Sequence, residues 1–237
     1  MLKRFTTALV LAAIGLPATI YGGIFFWLMM AFFLTYAAWE YVNLMRGAKF
    51  EPAALISVGG VLAILIARTQ FPVYESAVFT ALVLLAMAYH LNAFERGRDQ
   101  AAGDFAITAT SLIYMGWIGS YLVKLRELPG GLWWFFLILP TIWFADSAAY
   151  FVGKNFGKHK LAPRLSPKKT WEGYWGGVFF GTLAGVLFAW LLRNNIDVSL
   201  LDGALVGLLM SLLTTLGDLG ESMIKRQANI KDSSHLF

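Results

Sequence analysis

LLDGALVGLLMSLLTTLGDLGESMIKR (Leu200–Arg226) is an apolar run that ends in charge. A bilayer core of about 30 Å takes about 20 helical residues, so Asp218 and Glu221 lie at or inside the edge of a membrane helix. On insertion scales a carboxylate costs about 2.5–3.5 kcal/mol at the bilayer centre and less toward the interface. A charge kept at that cost marks a functional position by default. Lys225, Arg226, Lys231 and Asp232 follow. Together they form a mixed-charge cluster suited to metal ions and phosphates.

The rest of the chain has the same character. Of its 237 residues 58% are hydrophobic and 14% charged, against about 45–50% and about 25% in soluble domains. The expected class is an all-α, polytopic integral membrane protein. Eight spans are expected, near 5–21, 23–42, 53–68, 73–92, 104–123, 131–152, 174–192 and 200–222. Pro72 and Glu75 crowd the turn between the third and the fourth. The first follows Lys3 and Arg4 like a signal peptide but lacks a convincing small-residue cleavage site and leads straight into another apolar segment, so it reads as a retained span. Cysteine is absent, which excludes disulfides, thiolate metal sites and a cysteine nucleophile. The net charge of +5 fits cytoplasmic loops and anionic lipid better than nucleic acid. With the N-terminus in the cytoplasm, fifteen of the 19 basic residues fall on that side. Only Arg68, Lys124, Arg126 and Arg193 fall on the other. The loop 154–171 and the tail after Lys225 then share the cytoplasmic face.

The unusual polar residues concentrate in the second half. We expect a functional, rather than folding, boundary near 130. Residues 1–130 form a transmembrane half of about five spans. Residues 131–237 form a catalytic half with the loop 154–171 and a terminal signature at 217–235. Asp146 lies inside the sixth span, one helical turn before Tyr150 on the same face. In the loop, Ser166-Pro167-Lys168-Lys169-Thr170-Trp171-Glu172-Gly173 contains a Ser-Pro helix-start signal. That reading puts Lys168 and Lys169 in a first helical turn, where a polyanion would offset their conflict with the helix dipole. Glu172 would orient a lysine or help hold a cation. No Walker pattern is present. Gly173, Gly177, Gly181 and Gly185 recur every four residues as a ridge for close helix crossing, expected to draw that helix against the one bearing Asp146 or the one bearing Asp218. Asp218, Ser222 and Lys225 share a face, with Glu221 one turn from Lys225. His90, His159 and His235 stand alone, without metal-ligand spacing.

The Ser166–Gly173 segment and the tail, with Ser222, Lys225-Arg226 and Lys231-Asp232 spaced as a serine, Lys-Arg, four residues and Lys-Asp, resemble the phosphatidate cytidylyltransferase (CDP-diglyceride synthetase) family. The family pattern continues into Pro-Gly-His-Gly-Gly and Asp-Arg-x-Asp elements, and this sequence stops at Phe237 before them. The resemblance therefore lacks the C-terminal end of the signature. It implies transfer of the cytidylyl group of CTP to phosphatidate, giving CDP-diacylglycerol and pyrophosphate. The implied cofactor is Mg2+, with a second cation as an open alternative. Asp218, with Asp146 as partner, is assigned to metal. Lys168, Lys169, Lys225 and Arg226 would grip the triphosphate and the lipid phosphate, and Asp232 would order that cluster or assist the metal. Ser166, Glu172, Ser222 and Lys231 join them as substrate-binding residues. Expected partners are CTP, phosphatidate and membrane lipids, with no nucleic acid and with a homodimer left open. The expected location is the bacterial inner membrane, with the active site on the cytoplasmic face. Two alternatives stay open: a transporter or channel whose intramembrane carboxylates line a path, and an inactive truncated form of the enzyme.

Overall fold

The computed structural model describes residues 13–228. They are helical apart from one small hairpin and the connections. Residues 13–21 are helical (α1). They are followed by α2 (Gly23–Gly47), α3 (Ala54–Gln70), α4 (Glu75–Glu95), α5 (Ala101–Ser111), α6 (Tyr121–Glu127), α7 (Gly131–Phe156), α8 (Trp171–Leu192) and α9 (Leu200–Gln227). Among the described residues, six helical stretches are long and apolar enough to cross a membrane, and α3 is a shorter apolar helix of 17 residues. The chain is an all-α polytopic membrane protein. Residues 5–12 of the first expected span lie outside the described residues. Two compact units are present, with Leu128–Gln227 forming the second.

In the first unit, α5 runs through a π-helical segment (Leu112–Ile118) toward α6, so that 101–127 forms a single candidate span. The crowded turn after α3 resolves into a 3-10 turn led by Pro72. Arg68 is buried there. Its Nε donates to Glu75 at 3.3 Å, its Nη1 donates to the carbonyl of Trp117 and to Ser120, and its guanidinium lies 4.1 Å from the rings of Trp117 and Tyr121. Lys124 also donates to Glu75, at 2.7 Å. An intramembrane arginine is thus enclosed by a carboxylate and two aromatic faces, which offsets its desolvation.

A second polar network lies in the same unit. Asp104 is wholly buried and accepts from the Glu51 amide at 2.7 Å and from Arg98 Nε at 2.8 Å. One turn on, Thr108 accepts from the Ala53 amide at 3.0 Å and lies 2.9 Å from His90 Nε2. These side chains supply partners to the amides of the segment that leads into α3. Replacing Asp104 by Ala removes the charged acceptor of the Glu51 amide and of Arg98 and is expected to cost about 1–3 kcal/mol. Thermal unfolding in detergent measures it; an unchanged midpoint would refute the bracing role.

The second unit is a three-helix bundle of α7, α8 and α9, each antiparallel to its sequence neighbour, with α7 against α8 the most extensive pair. The glycine ridge of α8 explains the packing. Steps of four residues advance about 40° each around a helix with 3.6 residues per turn. The ridge therefore winds from one neighbour to the other. Gly173 and Gly177 lie against Gly153, Ala149 and Ala145 of α7, Gly181 lies between Ala145 and Ser211, and Gly185 lies against Gly203 and Gly207 of α9. One ridge serves both helices, since a four-residue repeat does not stay on a single face. At the far end of the bundle Leu137, Ala189, Ile196 and Val198 form its apolar plug.

Candidate active site

Between α7 and α8 the structure departs from the expected loop. Residues 154–156 extend α7 by a further turn, and β1 (Lys160–Ala162) pairs antiparallel with β2 (Ser166–Thr170). The turn follows from sequence: the Leu165 amide donates to Ala162 O at 3.2 Å, with Pro163 at the second position, where its fixed φ is preorganised. The Ser166-Pro167 helix-start reading is overturned. Both residues lie in β2, and α8 begins at Trp171. Thr170 is the residue that caps it, its Oγ1 accepting from the Gly173 amide at 3.2 Å. Pro167 is tolerated because a two-stranded pair leaves each strand one unpaired edge.

The strand changes what the two lysines can do. Successive side chains of a strand point to opposite faces, so Lys168 and Lys169 cannot act as a pair on one face. Lys168 is exposed. Lys169 is half-buried and its Nζ donates to Asp218 Oδ2 at 2.5 Å, across 49 residues of sequence. Asp146, nearly three turns from the C-terminal end of α7, is within electrostatic range of both Asp218 and Lys169. The three come from three elements of one bundle: α7, β2 and α9. The loop segment and the end of α9, expected to converge, are in direct contact.

Glu172 has a different task from the one expected. It accepts from the amides of Lys158 at 3.1 Å and His159 at 3.2 Å, and its Oε1 lies 2.6 Å from His159 Nδ1. The Trp171 amide in turn donates to the His159 carbonyl at 2.9 Å. A carboxylate in the first turn of α8 also complements the helix dipole. Glu172 thereby fastens the segment after α7 to the start of α8 and sets where β2, and with it Lys169, emerges. His159, which sequence left as a lone histidine, is part of this clasp; its spacing of 13 residues from Glu172 has no helical or strand periodicity to reveal it. Glu172→Gln keeps the shape but weakens the charge-assisted bonds. It is expected to lower turnover by about tenfold while leaving the midpoint of unfolding nearly unchanged. Turnover equal to wild type would show that the clasp does not position Lys169.

On α9, Lys225 pairs with Glu221 one turn away, so its charge is met locally. Ser222 is half-buried and Arg226 exposed. Among the described residues, no hydrogen bond or ion pair joins either of them to Lys169 or Asp218. Ser166 is half-buried at the start of β2, opposite Ala162. Lys231 and Asp232 lie outside the described residues.

As a metal centre the arrangement offers two carboxylates. Among the described residues no group of three His, Cys, Asp or Glu side chains comes together. That set fits Mg2+, which is usually held by one or two carboxylates together with substrate phosphates and water. It does not fit zinc, which takes three or four nitrogen, sulfur or carboxylate ligands. The ammonium of Lys169 already places positive charge against Asp218.

Comparison with known proteins identifies the family. The model of the cytidylyltransferase family matches residues 2–237. A phosphatidate cytidylyltransferase of Pseudomonas aeruginosa is 35% identical over 100% of this chain and 88% of its own length. That of a Synechocystis species is 31% identical over 99% of this chain and 87% of its own, and that of Bacillus subtilis 30% identical over 100% and 88%. With its length matched and its polar residues gathered at one end of a helical bundle, this chain is a nucleotidyltransferase belonging to the cytidylyltransferase family.

Proposed function

We propose that this membrane protein transfers the cytidylyl group of CTP to phosphatidate, forming CDP-diacylglycerol and releasing pyrophosphate. The observation that carries the reading is the contact of Lys169 with Asp218, with Asp146 in electrostatic range, at the cation-rich end of the α7–α9 bundle. Family membership favours group transfer over the transport reading.

In this reaction an oxygen of the lipid phosphate attacks the α-phosphorus of CTP. A new P–O bond forms, the bond to the bridging oxygen breaks, and pyrophosphate leaves with the electron pair. The protein contributes position and charge rather than a covalent intermediate. Asp146 and Asp218 are the residues to hold Mg2+, which when bound supplies charge neutralisation at the entering and leaving oxygens. Lys169, released from Asp218, would turn its ammonium toward a phosphate. Lys168 on the other face of β2, with Lys158 and Lys160, would attract the polyanion over a longer range. Lys225 and Arg226 lie further along α9 as candidates for the lipid phosphate.

The distribution of basic residues supports placing this end of the bundle on the cytoplasmic side, in a bacterial inner membrane. There an anionic lipid can enter sideways from the leaflet while CTP arrives from water.

The direct test incubates purified protein in detergent with labelled CTP, phosphatidate and Mg2+. Equimolar CDP-diacylglycerol and pyrophosphate are expected. Absence of product, or ion flux through proteoliposomes without CTP, would overturn the assignment.

A further inference from the structure

A cavity of about 500 Å³ in the first unit is lined by Arg46, Lys49, Phe50, Glu51, Pro52, Tyr89 and Arg98. It shares no residue with the site on the α7–α9 bundle. It opens where α2 ends, α3 begins, α4 ends and α5 begins, at one common end of candidate membrane spans.

Its charge is unbalanced. Arg98 is met by Asp104 at 2.8 Å and by Glu51 at 3.3 Å. Both carboxylates are therefore engaged on one guanidinium. Arg46 and Lys49 also line the cavity, and among the described residues neither has an ion-pair partner. Two cations thus face the same space without a counter-charge of their own.

The wall is also built rather than slack. Lys49 has φ 69°, the one non-glycine residue with positive φ among the described residues. Lysine seldom adopts that conformation, and such backbone persists where its surroundings enforce it. Here Arg98 donates to the Lys49 carbonyl at 2.9 Å, and buried Asp104 and Thr108 take the amides of Glu51 and Ala53. The 48–53 segment is thereby fixed with Lys49 on the cavity wall. Tyr89 also lines the cavity, while Phe50 and Pro52 supply an apolar part of the lining.

We propose that this cavity binds a phosphate-bearing anion, which at the boundary of a membrane is the headgroup of an anionic phospholipid. One cation in the last turn of α2 and one on the braced 48–53 segment, beside a phenol and an apolar wall, match a phosphodiester attached to a glycerol backbone.

Isothermal titration of the purified protein in a neutral maltoside detergent tests it, with short-chain phosphatidylglycerol, short-chain phosphatidylcholine and inorganic phosphate as probes. Wild type is expected to bind phosphatidylglycerol more tightly than phosphatidylcholine, whose own cation offsets its phosphate. The variant Arg46→Gln/Lys49→Gln is expected to lose at least about tenfold in affinity. Lys169→Met, altered only in the other unit, is expected to keep it. The charge-retaining variant Arg46→Lys/Lys49→Arg should also bind, and Lys49→Gln alone, at an exposed side chain, serves if the double variant is poorly folded. Inorganic phosphate binding as tightly as the lipid, with the same loss in the Gln variants, would support the anion site and make its ligand free phosphate. Equal affinity of wild type and the Gln variants, no binding by wild type, or loss in Lys169→Met alone would overturn it.

Discussion

Asp218→Asn is expected to lower cytidylyl transfer by about 10²–10³-fold, the usual effect of removing one preorganised electrostatic contact from a transition state. The substitution is nearly isosteric, and the side chain is 59% exposed on α9, so packing changes little. What is lost is the negative charge that would hold a divalent cation with Asp146 and that now meets the Lys169 ammonium. Lys169→Met should lower turnover as well. The double variant should fall short of the product of the two effects, with a coupling of about 0.5–3 kcal/mol. Steady-state rates with labelled CTP measure both, and thermal unfolding verifies that the fold is kept. Near-normal turnover of Asp218→Asn would remove the metal role, and strict additivity would separate Lys169 from it.

Gly185→Val is expected to destabilise the α7–α9 bundle by at least about 3 kcal/mol, the upper end of ordinary overpacking. A Cβ at Gly185 would meet backbone: the carbonyl of Gly203, and Gly207 Cα at 2.8 Å and N at 2.9 Å. Backbone cannot step aside as a flexible side chain does, so α8 and α9 must separate. In a membrane that loss is not refilled, because helices associate through close van der Waals contact rather than through exclusion of water. Gly220→Ala on α9 is the control. Nothing lies within 4 Å of its Cβ position, and alanine there is expected to be neutral or to stabilise by up to about 1 kcal/mol. Unfolding followed by tryptophan fluorescence distinguishes them; equal midpoints for the two variants would show that the glycine ridge does not set the packing.

The two variants probe parts of the molecule that were unequally legible. The four-residue glycine spacing announced a close-packed helix, and the charges closing the Leu200–Arg226 run announced a site. Other features were hidden. Residues 1–130 read as spans with little chemistry, yet buried Asp104, Thr108 and His90 form a network there with the half-buried Arg98. Their partners lie as far as 55 residues away, a separation no periodicity records. A charge within an apolar stretch was the available signal, for Asp104 and Arg68 as much as for Asp218. The hairpin was hidden for another reason. Ser-Pro serves helix starts and edge strands alike, and only pairing with Lys160–Ala162 decides between them.

Composition and run length determined the helical membrane class, because a bilayer satisfies backbone groups only within helices or closed barrels and the apolar runs have helical length. The Ser166–Gly173 segment and the spacing of Ser222, Lys225-Arg226 and Lys231-Asp232 carried the family resemblance. Tertiary structure alone decided which charges meet. Lys169 reaches Asp218 because strand alternation turns it away from Lys168, and Glu172 is spent on the His159 segment. Ion pairing depends on distances of a few ångströms, set by how α7, α8 and α9 pack, and such distances are not written in the order of residues.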